Sequence, residues 1–195
     1  MSLRPVPVHV DDTIEFLMGQ WELTRHFTDH RSGARSVFSG GLRVARLAPA
    51  PPRAPLLVDD AVGPRPHVSI EERGVRRAGA RAGPARRSLR AGALPGGGAL
   101  PGGGALPGGG ALLWFPDGRP FVDLDLTGGE WRAVHLCGTD HYEIVTEVVS
   151  ETVVRERWHV VGPNKRYDAT ATFMRRRAQR PSGAGSARGC TGTQT

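Results

Sequence analysis

An all-β fold is predicted by three features of the sequence: a single antiparallel β-barrel of about eight to ten strands with one short N-terminal helix. Short runs that alternate apolar with polar residues, or are rich in Val, Thr and aromatics, recur from residue 20 to 176. Turn sequences separate them, namely DHRSG, PDGR, TGGE, CGTD, VSET and GPNK. No stretch alternates strand with long helix, which excludes a doubly wound sheet. Closing the strands into a barrel removes exposed edges and leaves an interior able to hold one small ligand. A two-sheet sandwich is the other architecture this pattern allows.

The elements follow in order. Asp12-Thr13 caps a helix over TIEFLM, which ends at Gly19. Strands are expected at about 20–29, 35–47, 112–116, 120–126, 131–137, 141–149, 153–161 and 166–176. Weaker strands are expected in 54–60, 66–71 and 85–90. Asp117-Gly118 suits a two-residue type I′ hairpin, in which Trp114 faces Phe121 across the pair.

These elements divide the chain into an N-terminal extension over 1–12, a barrel domain over 13–176 and a tail over 177–195. All four Trp and both Tyr fall in 13–45 and 112–175, so the core is concentrated there. GALPGGGALPGGGALPGGGAL repeats Gly-Ala-Leu-Pro-Gly-Gly and marks a low-complexity insert at 91–111. Glycine frees the backbone and proline withholds ladder donors, so the insert is expected to be a disordered surface loop. Closing a longer loop costs only slowly more, which makes such an expansion tolerable. The polar tail is expected to be disordered as well.

The net charge is +7, and Lys165 is the only lysine among the basic residues. That arginine bias, with abundant Ala, Gly and Pro, matches the codon usage of a GC-rich genome. Seven arginines lie between Arg73 and Arg90, but no aromatic is interleaved with them to stack bases. They are expected to be solvated, and nucleic acid is not an expected partner. Cys137 and Cys190 are the only cysteines, MSLRPVPVHVDD has no apolar leader core, and no apolar run nears a membrane span. A soluble cytoplasmic protein with free thiols, monomer or homodimer, is the expectation.

FLMGQW, with Gly-x-Trp at the first strand, resembles the opening of lipocalins and their calycin relatives. In those barrels the Trp closes one end beneath a basic residue of the final strand, and the resemblance gives these parts to Trp21 and Arg175. FLMGQWELTRHFTDHRSGARSVFSG, GPARRSLR, FPDGRPFVDLDL, AVHLCGTDHYE and WHVVGPNKRYDATATFMR together resemble an actinobacterial and fungal family of unknown function with a calycin-like barrel. Val122 stands where that family tends to carry His, and residues 48–83 match it poorly. The resemblance implies a fold and assigns no activity.

Strand alternation gives the candidate site. Trp21, Leu23, Arg25 and Phe27 share one face, as do Phe38, Gly40, Leu42 and Val44. Tyr142, Ile144, Thr146 and Val148 follow, then Val154, Glu156, Trp158 and Val160, then Tyr167, Ala169, Ala171 and Phe173. A buried guanidinium needs a partner. For Arg25 this is internal Glu156, water at a barrel mouth, or a ligand's carboxylate or phosphate aided by a tyrosine hydroxyl. Arg25, His135, Tyr142, Glu156, Trp158 and Tyr167 are the candidate ligand-binding residues.

HLCGTDHY is the densest chemical cluster, with His135 and Cys137 on one face. No base or oxyanion donor accompanies them as a nucleophile requires, and the spacing lacks the paired ligands of a zinc site. No catalytic residue, metal or cofactor is assigned; a heme held by one histidine, as in some calycin-like barrels, is the cofactor option. Lys165, at a hairpin tip, is either a turn charge or a cation at the barrel mouth. The expected role is non-enzymatic binding of a small amphipathic or anionic ligand in the barrel interior. The alternatives are a hydrolase or isomerase using His135, Cys137 or Tyr142, and a protein-partner module with a filled lumen.

Overall fold

The structure, a computed structural model, describes residues 8–48, 67–94 and 109–176. It opens with α1 (Thr13–Leu17), followed by β1 (Gly19–Asp29), β2 (Arg35–Arg46), β3 (Val68–Ala78), β4 (Arg81–Ala93) and β5 (Ala111–Trp114). β6 (Pro120–Leu124), β7 (Glu130–Cys137), β8 (Asp140–Ser150), β9 (Val153–Val161) and β10 (Arg166–Arg175) complete it. All ten strands form one antiparallel meander in which β1 pairs with both β2 and β10. β6 and β7 stand at the two ends of that order with no ladder between them, so the barrel is nearly closed and has one seam.

Alternation produces the two faces of the wall. Trp21, Leu23 and Arg25 on β1 are buried while Glu22, Thr24 and His26 are exposed, as a period of two requires. Gly40 of β2 lies opposite Gly74 of β3. A Cβ on Gly40 would stand 2.2 Å from the Arg73 carbonyl oxygen, so the two backbones approach more closely than any side chain permits.

One end of the barrel is plugged. The Asp12 carboxylate accepts the Glu15 N–H at 2.9 Å and caps α1. Trp21, 1% exposed, donates its indole N–H to the Leu17 carbonyl at 2.9 Å. The Arg175 guanidinium lies 4.1 Å from the Trp21 ring centroid and donates to the carbonyls of Met18 at 2.8 Å and Phe16. Val10, within the stretch read as an extension, is buried against Leu126 and Val148. Thr13 Oγ1 accepts the Leu126 N–H at 2.9 Å and ties α1 to the chain after β6.

Three expectations change. The weak strands at 66–71 and 85–90 are parts of the longer β3 and β4, while 54–60 lies outside the described residues. PDGR does not form a type I′ hairpin, because Pro116 fixes a negative φ and Asp117 has none of the positive φ that turn demands. Instead the Phe115 carbonyl accepts the Gly118 N–H at 3.0 Å and Gly118 takes φ 90°, so Trp114 pairs with Pro120. The insert read over 91–111 begins and ends inside the barrel. Ala91 and Ala111 are ladder residues of β4 and β5, 3% and 1% exposed, and Leu94 is buried. Small side chains satisfy the inward positions there; repeat residues 95–108 and tail residues 177–195 lie outside the described residues.

Candidate functional site

Register places the charges. Thr146 of β8, Glu156 of β9, Ala171 of β10 and Arg25 of β1 form one lateral row on the inner face. Ala171 projects only a methyl, so Arg25 Nη2 reaches Glu156 Oε2 at 3.1 Å. In the other direction the guanidinium reaches past β2 to Glu72 of β3. Nη1 donates to Oε2 at 2.9 Å and Nη2 to Oε1 at 3.1 Å, the two-pronged geometry that suits a planar fork. Glu72 is directly opposite Arg87 of β4, whose Nη2 donates to Oε1 at 2.7 Å.

Two arginines and two glutamates therefore form one continuous network with cancelling formal charge. The Arg25 and Glu72 side chains are 8% and 4% exposed, and Glu156 is 14% exposed. Burial alone drives the Arg25 guanidinium down, but Glu156 and Glu72 more than reverse it, so its pKa is raised. Burial likewise works to raise the Glu72 carboxyl, and Arg87 and Arg25 overcome it, leaving it below the usual range. Both groups stay ionised. The internal carboxylate expected for Arg25 is present twice, and its bidentate partner is Glu72 rather than Glu156.

Aromatic rings surround the network. Trp158 takes the Arg87 guanidinium at 5.2 Å and the Arg25 guanidinium at 5.9 Å from its centroid. His135 packs on Phe121 at 4.9 Å and on Tyr142 at 5.8 Å. Its Nδ1 donates to the Phe121 carbonyl at 2.9 Å, a side-chain bond across the β6–β7 seam. At the same end, Lys165 Nζ donates to Asp140 at 2.6 Å and to the Tyr142 hydroxyl at 2.9 Å, contacts that raise its pKa. Tyr167 packs on Phe27 at 6.3 Å, and burial foremost, then Tyr142, pushes its hydroxyl up.

Two small cavities lie in the interior among the described residues. One, of about 70 Å³, lies between Trp21, Leu42, Leu113 and Phe173. The other, of about 40 Å³, lies behind the seam between Phe121, Leu124, Trp131 and Trp158. Arg87, Thr146 and Glu156 line both, so the charged network stands where the two meet. The buried indole nitrogens of Trp131 and Trp158, and Arg25 Nε, have no protein acceptor among the described residues.

Of the six predicted site residues, Arg25, Glu156 and Trp158 meet in the network, and His135 and Tyr142 form the aromatic wall toward the open end. Tyr167 sits across that end against Phe27, and no hydrogen bond joins Arg25 to either tyrosine among the described residues. Cys137 is exposed and opposite Asp140 at the end of the β7–β8 hairpin. Glu72, Arg87 and Trp131 were not anticipated. Val68-Ile70-Glu72 and Ala85-Arg87-Leu89 carry the alternation that places them inside. For Arg87 that signal was hidden in an arginine-rich run that reads as solvated throughout.

No curated protein sequence matches the chain. The redesigned β-barrel mFAP1 bound to DFHBI aligns at TM-score 0.35 and 12% identity, over 85% of this chain and 100% of that one. The S-type phycobiliprotein lyase CPES from Guillardia theta aligns at TM-score 0.50 and 9% identity, over 88% of this chain and 95% of that chain. At such identity the likeness is one of fold. Residues 103–175 match the model of a family of unknown function (DUF6314), a stretch that contributes Trp131, Thr146, Glu156 and Trp158 to the cavity walls.

Proposed function

We propose that this protein binds a small amphipathic or anionic molecule inside the barrel without transforming it, using Arg25, His135, Tyr142, Glu156, Trp158 and Tyr167. The observation that carries this reading is a charged network standing between two cavities in a largely apolar lumen. Stability does not call for such a network, since well-packed hydrophobes in place of buried ion pairs are often neutral or stabilising. A ligand supplies a reason for polar groups at that depth.

The volumes limit what fits. A cavity of about 150 Å³ holds benzene, whereas these are about 70 and 40 Å³. The ligand therefore inserts a narrow group and leaves the rest toward the open end, where Phe27, Ser36, Arg76 and Tyr167 line a cavity of about 280 Å³. The same small volumes favour a second reading, a partner-binding module whose lumen is filled by its own side chains.

Gentle purification followed by native mass spectrometry separates the two, together with thermal melts against fatty acids and acidic metabolites. A retained small molecule, or a melting temperature raised by one panel member, is expected. No retained mass and no shift in any melt removes the binding reading and leaves the filled module.

A further inference from the structure

We infer that the chamber behind the β6–β7 seam receives a neutral head group bearing an acceptor oxygen, such as a ketone, ester or amide carbonyl, on the indole N–H groups of Trp131 and Trp158. This rests on the binding reading above and selects the uncharged, amphipathic branch of it.

The donors come first. Indole nitrogen only donates, and a buried donor without an acceptor is destabilising, so native proteins rarely leave one unpaired. Trp131 and Trp158 both have buried indole nitrogens with no protein acceptor among the described residues, and both line the chamber of about 40 Å³. Trp21 shows the ordinary solution, since its indole N–H is bonded to the Leu17 carbonyl. The two unpaired indoles lie on β7 and β9, on either side of β8, and face one space from neighbouring rows.

Charge decides which acceptor fits. The terminal nitrogens of Arg25 already donate to Glu72 and Glu156, and Arg87 donates to Glu72. An anion would displace these carboxylates or sit beside them, where like charges repel. A cation would face the two committed guanidiniums over the Trp158 ring. A neutral carbonyl takes the indole protons without either conflict. A narrow alkyl remainder matches the apolar wall of Leu42, Val44, Leu89 and Phe173 in the adjoining cavity, with any wider part left toward the open end.

The test is a titration of the full chain labelled with ¹⁵N and ¹³C, read at the indole N–H signals of its four tryptophans and at the methyl signals of its interior. The probes are 2-heptanone, heptanoate, heptylamine and heptane. Expected is a downfield shift of the Trp131 and Trp158 signals with 2-heptanone, while Trp21 stays fixed. Trp131→Phe and Trp158→Phe keep a ring and remove the donor; each is expected to weaken 2-heptanone about two- to tenfold more than it changes heptane, the range of one hydrogen bond. Tighter binding of heptanoate or heptylamine, or ketone binding indifferent to both variants, overturns the inference while leaving interior binding intact. Indole signals that the ketone does not move, although methyl signals of Leu42 and Val44 do, overturn it in the same way, the donors then being met by water. If no probe moves any interior signal, the binding reading falls with it. Should a Phe variant fail to fold, the wild-type titration alone decides.

Discussion

Arg175 and Arg25 stand on the inner side of the same β1–β10 ladder, and the barrel satisfies them in opposite ways. Arg175 lies opposite Trp21 and gives its protons to backbone carbonyls of α1 and of the turn after β8. Among the described residues no carboxylate faces it, and burial lowers its pKa. Arg25, two turns of the side-chain alternation along, meets Glu72 and Glu156, and its pKa is raised despite deeper burial. Carbonyl dipoles suffice where part of the guanidinium still reaches water. Deeper in, only full opposite charges compensate the loss of solvent. The plug is thus built from backbone carbonyls met by one guanidinium of β10, and the interior network from charged side chains on four strands.

The largest effect is expected at the plug. Trp21→Ala removes a core aromatic and the surface on which Arg175 rests, and should lower stability by about 4 kcal/mol in a denaturant melt. A loss below about 1 kcal/mol would show that α1 and Arg175 close the barrel without it. Next comes the network. Arg25→Met leaves Glu156 without a cation, while Glu72 keeps Arg87, so a loss of about 3 kcal/mol is expected. Adding Glu156→Leu should recover most of it, as a coupled pair requires. Failure of the double variant to recover would mean that Arg25 acts through packing on Trp158 and Phe173 instead.

Arg175→Met should cost less, about 2 kcal/mol, because carbonyls near the surface can turn to water. No second substitution should rescue it, since no buried charge is stranded; rescue by any change of a carboxylate would break the contrast between the two arginines. The smallest effect is the slope of stability with pH. Glu72 titrates below its usual 4.5 in the folded protein, so its contribution is complete above that pH and is lost as pH falls below it. Glu72→Gln should flatten the decline of melting temperature from pH 5 to 3. Asp168 is also lowered, by His159 and His30, but it is half exposed, so Asp168→Asn should flatten the curve less.

How much of this was legible follows the local chemistry. The inner faces of β1, β2, β8, β9 and β10 could be read directly, because alternation of large apolar with polar residues is strong there. Arg25 stood out as an exception on such a face, and the need for a partner followed from burial. Glu72 and Arg87 did not stand out. Their strands carry glycine, alanine and arginine rather than bulky apolar residues, so alternation is faint and the arginines on both faces look alike. The turn at Pro116-Asp117-Gly118 was misread because Asp-Gly suits one hairpin type while the preceding proline enforces another.

By itself the sequence determined the all-β class, the capped helix, most strand limits and the inward position of Arg25, Glu156 and Trp158. Each of these depends on side-chain period, capping or turn chemistry within about ten residues. Only the tertiary structure decided that Glu72 of β3 and Arg87 of β4 complete the network. It alone decided that Trp131 and Trp158 share one chamber, and that the barrel's seam falls between β6 and β7. Those facts depend on register and curvature across strands far apart in the chain, where one residue of slip would turn each of these side chains to the opposite face.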